Sequence, residues 1–425
     1  MGSNWKNIPL GNLITLQRGH DLPSQDRTEG CVPIMGSSGL TGWHNEVKMT
    51  GPGVVVGRSG NSMGVVSYSD SDFWPLNTCL YVTDFKGNDV RYIYYLLQQI
   101  DFDQFNSGSA QKSLNRNAVY PFEVYSTEDK DEQRAIAKLL SDFEEKVALN
   151  NQINQTLEQM AQAIFKSWFV DFDPVKAKMN GEQPKGMDAP FLSKTVASLF
   201  PEKLVESELG LIPDGWEAGT VGSVTTAKGG YAFKSKQFVD EGNPVIKIKN
   251  ISSSGTVNTL DCQCIDDDIA STASRFKLSN GDLLMAMTGA TVGKSGVYVS
   301  DGRDGYLNQR VARFESKVDS SKPCWFTYNL VTKDSIFEQI VGAAQGSAQP
   351  NISSKGIEQV KAVIPTHDLI GKYQELVAPL YAKWISNFQE SSQLAELRDT
   401  LLPKLLSGEI DLENVQVEQA KALAE

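Results

Sequence analysis

The sequence has little that would place it in a membrane. Its 425 residues contain no apolar run near the roughly 20 residues needed to span a bilayer. The first residues also lack the basic-then-apolar pattern of a secretory signal. With 40% hydrophobic and 22% charged residues, the composition is typical of a soluble globular protein. The length predicts about two or three domains, and we expect the chain in the cytoplasm.

Cysteine and histidine are scarce, which bears on redox and metal chemistry. The five cysteines are an odd number without the spacing of a disulfide framework, so we expect free thiols in a reducing compartment. Cys262 and Cys264 are too close together for the usual structural zinc spacing, and no second pair accompanies them. The three histidines, His20, His44 and His367, have no partner pattern for zinc or nucleophilic catalysis. We therefore predict no metal site and no catalytic residues.

Sequence signatures of bond chemistry are also missing. Residues 289–295, Gly-Ala-Thr-Val-Gly-Lys-Ser, resemble a phosphate-binding loop, but three residues separate the glycines where that loop has four. The related stretch 60–64 has no lysine, so a turn between two strands is the better interpretation. Neither an amino-methyltransferase motif nor a nuclease cluster of carboxylates followed by lysine is present. We predict that the chain is not an enzyme and binds no cofactor itself.

Instead, the sequence repeats itself. The segment 5–11 returns at 216–222, and Gly-Ser-Ala-Gln at 108–111 returns at 346–349. The matched positions between these points include Gly60 with Gly289, Gly64 with Gly293 and Asn77 with Asn308. The offset grows from 211 at Trp5 to 238 at Gly108, which indicates insertions in loops. We predict two similar lobes related by a pseudo-two-fold axis, an arrangement that suits a DNA site with two parts.

The net charge of −12 is unexpected for a protein that binds nucleic acid, because phosphate contacts dominate DNA affinity. The charge is unevenly distributed, however. Residues 1–125 carry 9 basic and 11 acidic side chains, and residues 205–365 carry 16 and 18, so each repeated region is nearly neutral. The acid excess lies mainly in 126–204 and 366–425. Each lobe can therefore present a local basic face, and we expect weak DNA binding unless a basic partner assists.

The repeated regions have the texture of α+β lobes. Short runs rich in Val, Ile, Tyr and Phe alternate with Gly, Ser, Asn and Asp, which predicts strands and turns, with short helices near 90–99 and 324–332. A long helix follows each lobe, over about 128–170 and about 369–406. We expect Ser126 or Thr127 to cap the first one. Residues 171–209, with several prolines and glycines, predict a connector of extended and irregular character.

Both long helices carry a heptad repeat of apolar residues with an asparagine near the middle. A polar residue at a core slot lowers stability but fixes register and partner. We therefore predict that the helices pair antiparallel as an internal coiled coil. The alternative is that each apolar stripe packs only on its own lobe. The predicted pairing residues are Ile136, Phe143, Asn150, Leu157 and Ile164 in the first helix and Tyr373, Leu380, Asn387, Leu394 and Leu401 in the second.

Polar donors stand among glycines at matching points of both repeats, as expected of loops that reach into a DNA groove. Arginine is the commonest reader of guanine, and asparagine or glutamine of adenine, whereas lysine more often contacts the phosphate backbone. The two sets differ in sequence, so two different half-sites are predicted. The candidate DNA-binding residues are Arg18, His20, Arg58, Ser59, Asn61 and Lys112 in the first lobe and Lys228, Tyr231, Lys234, Lys247, Lys249, Lys294, Gln309 and Arg310 in the second.

Three segments at the joints of the repeat resemble one known family. Residues 164–175, Ile-Phe-Lys-Ser-Trp-Phe-Val-Asp-Phe-Asp-Pro-Val, close the first helix, and residues 397–410, Leu-Arg-Asp-Thr-Leu-Leu-Pro-Lys-Leu-Leu-Ser-Gly-Glu-Ile, close the second. Together with the lobe-opening segment 209–216, Leu-Gly-Leu-Ile-Pro-Asp-Gly-Trp, they are similar to the specificity subunits of type I restriction–modification systems. The resemblance covers essentially the whole chain, although the lobe interiors match only loosely.

The resemblance implies a division of the α+β chain into named parts. Target recognition domains are expected at 1–125 and 209–365, a central coiled-coil helix at 126–172 and a connector at 173–208. A C-terminal coiled-coil helix is expected at 366–410 and a tail at 411–425. The paired helices would act as a ruler between the two lobes and as a dock for two modification subunits.

The function implied by the resemblance is non-catalytic reading of a bipartite, asymmetric site on double-stranded DNA. Partner subunits would hold S-adenosylmethionine and methylate an adenine in each half-site, and restriction subunits would use ATP to cleave unmodified DNA. No membrane partner is expected. Two rival hypotheses remain open from the residues: a structural adaptor with sequence-independent DNA binding, and a cryptic enzyme such as a methyltransferase without recognisable motifs.

Overall fold

The chain forms two compact units. The computed structural model describes residues 5–108, 111–182, 192–252, 255–318, 323–345 and 350–410. Unit 1 joins residues 1–149 with 391–425, and unit 2 consists of residues 150–390. The two boundaries between the units, at residues 149/150 and 390/391, each fall inside one of the long helices. The predicted tail at 411–425, residues 109 and 110, and the whole second Gly-Ser-Ala-Gln repeat at 346–349 lie outside the described residues.

The first lobe, in unit 1, combines three small sheets with short helices. Its elements are β1 (Trp5–Pro9), α1 (Leu10–Leu13), β2 (Thr15–Arg18), β3 (Val32–Gly36), β4 (Gly39–His44), β5 (Gly53–Gly57), β6 (Val66–Ser69), β7 (Trp74–Pro75), β8 (Cys79–Asp84), α2 (Val90–Gln98), α3 (Arg116–Val119) and β9 (Glu123–Thr127). The sheet orders are β2-β8-β5-β6, β4-β3-β7 and β1-β9, with only β3 and β7 parallel.

After the first lobe come a long helix and the connector. The elements are α4 (Lys130–Phe169), α5 (Asp173–Met179), α6 (Lys194–Ser198), β10 (Leu204–Ser207) and β11 (Gly210–Pro213). The prediction of extended and irregular chain was wrong for α5 and α6. Pro174 stands in the first turn of α5, where a proline is tolerated, and the Ser193 hydroxyl caps α6. Val175, Ala197 and Phe200 are buried in the core of unit 2, which stabilises these short helices.

The second lobe repeats the first strand for strand. Its elements are β12 (Glu217–Thr220), α7 (Val221–Val224), β13 (Thr225–Gly229), β14 (Asn243–Ile246), β15 (Gln263–Ile265), α8 (Asp267–Thr272), β16 (Leu283–Ala286), β17 (Ser295–Val297), β18 (Tyr306–Leu307), β19 (Val311–Ser316), α9 (Trp325–Thr332), α10 (Asp334–Ala344), α11 (Ser354–Glu358) and β20 (Lys361–Ile364), followed by the helix α12 (His367–Leu406). The sheet orders are β13-β19-β16-β17, β15-β14-β18 and β12-β20. The predicted tandem α+β lobes, each followed by a long helix, are therefore confirmed.

Two insertions distinguish the second lobe. Residues 247–262 join β14 to β15, whereas residues 37 and 38 suffice between β3 and β4. Residues 266–282, which include α8 and a 3-10 turn at Ser274–Phe276, join β15 to β16, whereas residues 45–52 join β4 to β5. These two insertions account for the growth of the offset from 211 at Trp5 to 229 at Gly60, so the predicted loop insertions are confirmed there.

The start of α4 differs from the prediction. Ser126 and Thr127 belong to β9, where Thr127 pairs with Trp5 of β1, so the backbone there is committed to strand hydrogen bonds. The carboxylate of Asp129 instead accepts from the backbone nitrogens of Asp131 (2.9 Å) and Glu132 (3.2 Å) and caps the helix. The helix therefore begins two residues later than the sequence indicates.

In unit 1 the first half of α4 and the end of α12 complete the core of the first lobe. Ile136 and Phe143 of α4 and Leu401 and Leu405 of α12 are buried in one apolar cluster with Tyr92 of α2. The guanidinium of Arg398 on α12 lies 3.5 Å from the carboxylate of Glu144 on α4.

In unit 2 the second half of α4 meets the first half of α12 through a buried polar layer. The amide nitrogen of Asn387 donates to the side-chain oxygen of Asn154 (2.9 Å), and the amide of Asn154 donates to the carbonyl of Trp384 (3.1 Å). Further along, the Tyr373 hydroxyl donates to the carbonyl of Ala161 (3.2 Å). Later residues of α4 thus meet earlier residues of α12, which is the antiparallel sense. Asn387 is fully buried, so these hydrogen bonds are shielded from water.

We expect Asn387→Ala to lower the free energy of unfolding by about 1–3 kcal/mol, because the buried oxygen of Asn154 then loses its donor. The paired change Asn154→Leu with Asn387→Leu should lower it less, since apolar groups replace both partners. Chemical denaturation of the full chain, followed by circular dichroism, measures both effects. Gln155→Ala, at an exposed position of the same helix, is the matched control. A single variant as stable as the unmodified chain would contradict the role of this layer.

Candidate nucleic-acid interface

In the first lobe, four separate chain segments are held together at one edge of the four-stranded sheet. The backbone nitrogen of Asn77 donates to the carbonyl of His20 (2.9 Å), and that of Arg58 donates to Thr78 (2.9 Å). The backbone nitrogen of Gly60 donates to the carbonyl of Lys112 (3.0 Å), and the backbone nitrogen of residue 114 donates to the carbonyl of Arg58 (2.8 Å). Main-chain hydrogen bonds thus fix the end of β2, the start of β8, the turn after β5 and residues 111–114, and these bonds use no side-chain atoms.

The second lobe builds the same edge with the same hydrogen bonds. The nitrogen of Gln309 donates to the carbonyl of Tyr231 (2.9 Å), and that of Met287 donates to Arg310 (3.0 Å). The backbone nitrogen of Gly289 donates to the carbonyl of residue 350 (2.9 Å), and that of residue 352 donates to the carbonyl of Met287 (2.9 Å). Each bond has its counterpart in the first lobe, so we call this surface of each lobe its recognition edge.

The hydrogen bonds correct one pairing of the repeat. Because Tyr231 is the counterpart of His20, the residue that bonds to it, Gln309, is the counterpart of Asn77. The sequence comparison paired Asn77 with Asn308, which is wrong by one position. Asn308 instead donates its backbone nitrogen to residue 246, as residue 76 donates to residue 35 in the first lobe. Between the paired glycines and the strand β18 (β7 in the first lobe), the second lobe has three more residues than the first (294–305 against 65–73), and a comparison by residue type does not count them correctly.

Glycines with a left-handed backbone shape the turn of each edge. Gly60 has a φ of +74° and its counterpart Gly289 a φ of +77°. In both lobes this residue begins a 3-10 turn, at Gly60–Ser62 and Gly289–Thr291, that joins two neighbouring strands. The prediction of a strand-joining turn, rather than a phosphate-binding loop, is confirmed.

The candidate side chains of the first lobe lie on or beside its recognition edge. Arg58 donates to the carbonyl of Asn77 (3.2 Å), while Asn61 is exposed in the turn. Two candidate cations have acidic neighbours: Arg18 lies 3.6 Å from Asp21, and Lys112 lies 2.6 Å from Asp103. The backbone of Ser59 pairs with residue 113.

His20 is held within an aromatic cluster. Its ring nitrogen Nε2 lies 3.2 Å from the hydroxyl of Tyr81, and its ring meets that of Trp74 edge-on at 6.4 Å. Burial, and secondarily the charge of Lys48, lowers the pKa of His20, while Asp21 opposes them. The His20 imidazole is therefore a neutral donor or acceptor at neutral pH.

The candidates of the second lobe fall into two groups. Gln309, Arg310 and Lys294 lie on the recognition edge, and no ion pair involves either cation in the described part of the chain. By contrast, Lys228 lies 2.5 Å from the carboxylate of Glu315 and holds the pKa of that carboxyl below its usual value.

The remaining candidates of the second lobe lie around the first insertion and the aromatic residues of the loop after β13. Lys247 lies over the ring of Phe238 at 3.7 Å, and burial, then Lys249, lowers the pKa of its ammonium group. Lys249 is 3.3 Å from Asp261. Lys234 is exposed, at the start of a 3-10 turn. Tyr231 packs on the rings of two phenylalanines, with centroids 4.8 Å and 5.6 Å away.

Sequence reasoning missed two arginines near these edges. Arg116 on α3 donates to the carbonyl of residue 16 in β2 (3.0 Å) and is exposed. Arg275 belongs to the second insertion and lies over the ring of Phe276 at 4.9 Å. The alternation of basic and aromatic residues at 275–277, Arg-Phe-Lys, was a usable signal.

In the residues that the structure describes, no group of three or more His, Cys, Asp or Glu side chains could hold a metal ion. Nor is any helix of that part long and apolar enough to cross a bilayer.

Comparison with known proteins shows the family. Residues 2–159 and 213–372 both match the type I restriction modification DNA specificity domain. The type I restriction enzyme HindI specificity subunit of Haemophilus influenzae is 26% identical over 402 residues, 83% of this chain and 85% of that protein. The MjaIX specificity subunit of Methanocaldococcus jannaschii is 24% identical over 332 residues, 76% of this chain and 70% of that protein.

A solved structure shows the same fold. The S subunit of a type I restriction–modification system from M. genitalium has a TM-score of 0.60 at 18% identity, covering 95% of this chain and 96% of that chain. The chain belongs to the type I restriction–modification DNA specificity family. It is a specificity subunit, the non-catalytic component that recognises target DNA, as its repeat and joint motifs predict. The individual contact residues remain predictions.

Two glycine substitutions test how the recognition edge of the first lobe is held. A Cβ at Gly57 would lie 2.0 Å from the carbonyl oxygen of Ser62, so Gly57→Ala must move backbone and should destabilise the chain by about 3 kcal/mol. At Gly60 the nearest atom would be 3.6 Å away, and only the left-handed φ is unfavourable, so Gly60→Ala should lower stability by about 1 kcal/mol. Thermal unfolding compares them; an inverted order would contradict this packing.

Proposed function

We propose that the two recognition edges read two different DNA half-sites. The observation that carries this proposal is that equivalent backbone hydrogen bonds present unlike side chains. The paired residues are His20 and Tyr231, Arg58 and Met287, Asn77 and Gln309, and Thr78 and Arg310. Arginine favours guanine and the amide side chains favour adenine, so the two sets suit different base sequences. The target is therefore a bipartite and asymmetric site on double-stranded DNA.

We also propose that two methyltransferase subunits assemble with this chain. The tandem repeat supports this stoichiometry, because each unit offers an equivalent lobe with two helix segments. The methyltransferase subunits would hold S-adenosylmethionine, and restriction subunits, where present, would use ATP. The acid excess of residues 126–204 and 366–425, which include both long helices, suits basic partners. The assembly would act in the cytoplasm.

Exchange of one lobe tests the assignment of half-sites. Replacing residues 216–365 with the equivalent lobe of another specificity subunit should change one half of the methylated motif and leave the other half unchanged. The reason is that each edge is built within a single lobe. The measurement is a long-read methylome of cells that express the modification subunit with the unmodified chain, the exchanged chain or neither.

The outcomes of this experiment separate the proposal from its rivals. Adenine methylation at one split motif that requires the chain is the expected result. Methylation that is unaffected by the chain, in cells where the complex forms, would contradict the proposal and favour a structural adaptor. A change in both halves of the motif after the exchange would contradict independent reading by the two lobes.

Arg310 offers a test at a single position. Its side chain is exposed on the recognition edge of the second lobe and forms no ion pair in the described residues. Arg310→Ala should weaken binding of the assembled complex to its target by about 1–3 kcal/mol and relax the preference at one base of one half-site. Lys361→Ala, which removes an exposed cation from β20, is the matched control. Equal effects of the two variants would argue against base reading by Arg310.

A further inference from the structure

The second lobe contains a cavity without an assigned role. Its volume is about 450 Å³, and its lining residues are Lys228, Gly229, Arg275, Phe276, Leu307 and Arg313. The cavity opens between the strands β13 and β19 and the second insertion. Ligand pockets in proteins have volumes of about 300–1,000 Å³, so this space is large enough for part of one nucleotide.

One wall of the cavity exists only in the second lobe. Arg275 and Phe276 come from the 3-10 turn in the insertion between β15 and β16, for which the first lobe has only residues 45–52. The residues of β13 and β19 that line the cavity also differ in charge from their counterparts in β2 and β8 of the first lobe. Lys228 pairs with Arg313 across β13 and β19, whereas the neutral Gln17 and Tyr81 form the equivalent pair of the first lobe. The cationic character of this place is therefore a property of one lobe.

Two of the three cations are positioned by a single carboxylate. Glu315 lies 2.5 Å from the ammonium of Lys228 and 2.9 Å from the guanidinium of Arg313. Arg313 also donates to the carbonyl of Lys277 (3.0 Å) and lies 3.7 Å from the buried Asp282. Glu315 stays ionised because these two cations, Lys228 first, hold its pKa below the usual value. The side chains are thus oriented before any ligand arrives.

Arg275 is different, because no carboxylate lies within ion-pair distance of it in the described residues. Its guanidinium is held over the ring of Phe276 at 4.9 Å, and that ring packs in turn on Tyr231 with centroids 5.6 Å apart. A guanidinium stacked on an aromatic ring keeps its donors free and pre-oriented. The cations that line the cavity outnumber the neighbouring carboxylates, Glu315 and Asp282, and the excess charge is that of Arg275.

We propose that this cavity receives one phosphate of the DNA backbone. Arg275 supplies the unbalanced charge and binds the phosphate oxygens, Lys228 and Arg313 line the cavity from the sheet, and Phe276 packs against the adjoining sugar. The proposal rests on DNA recognition by the second lobe and adds a sequence-independent anchor to it. Because the first lobe lacks this wall, the anchor belongs to the second lobe alone.

The test uses the complete complex of this chain with its methyltransferase subunit and measures Kd at increasing NaCl. Arg275→Ala should raise Kd by about tenfold for target and unrelated duplexes alike, since a phosphate contact carries no sequence information. The slope of log Kd against log salt should fall by about 0.9, the value for one phosphate contact. Arg275→Lys keeps the charge and should preserve the slope, and Lys361→Ala is the control for loss of an exposed cation.

Neutral methylphosphonate linkages, placed one at a time in the target duplex, locate the phosphate. One position should weaken binding of the unmodified complex and have no effect on the Arg275→Ala complex. A complex that still discriminates its target, but in which Arg275→Ala changes neither the salt slope nor the methylphosphonate profile, overturns the phosphate site. Loss of preference at one base with an unchanged slope overturns it in favour of base reading.

Failure of the two proposals can be told apart. A wild-type complex that binds target and unrelated duplexes equally overturns the proposed reading of half-sites. A lower slope in the Arg275→Ala complex would still support the phosphate site in that case.

Discussion

The antiparallel packing of α4 against α12 is the constraint on which both units depend. In unit 1 the first half of α4 and the end of α12 share an apolar cluster with one lobe, and in unit 2 the remaining halves share a cluster with the other. A change of helix register would therefore disturb two cores at once. The contact between Asn154 and Asn387 opposes such a change, because a shifted register would leave both amides buried without partners.

Within each unit, the lobe holds its recognition edge by backbone hydrogen bonds. The backbone groups of the recognition edge are bonded to one another, so the edge keeps its shape whatever side chains it carries. Arg58 in one lobe and Met287 in the other occupy the same place with the same backbone partners. The conformation itself restricts Gly57, where a Cβ would collide with the backbone, and the turn glycines Gly60 and Gly289, whose φ is left-handed. Under the proposed function, such a lobe would acquire a new specificity by exchange of these side chains, without changes to its core.

Much of this organisation could be predicted from the sequence, because it rests on long patterns. The heptad repeat spans about five heptads in each helix, and the glycines of the repeat can be matched across two insertions. The predictions were wrong where one residue or one local contact determines the alignment of the repeats or the bounds of a helix. Residue type alone could not count the extra residues before β18 that make Gln309 the counterpart of Asn77. The strand pairing of Thr127 moved the helix cap to Asp129, and burial of Val175 turned a proline-containing connector into a helix. Arg275 was missed although the local alternation Arg-Phe-Lys indicated it, and only the fold shows that this turn lies beside β13 and β19.

Unit 1 is built from two separate chain segments, and this sets the order in which the two cores can form during synthesis. Unit 2 is one continuous stretch, residues 150–390, whereas unit 1 needs residues 391–410 to finish its core. The contact of Glu144 with Arg398 spans 254 positions. On the ribosome the first lobe therefore emerges first, but its apolar core is completed last. Ile136 and Phe143 are buried only when Leu401 and Leu405 have been synthesised. The second lobe can close its core while the first still lacks its last partner.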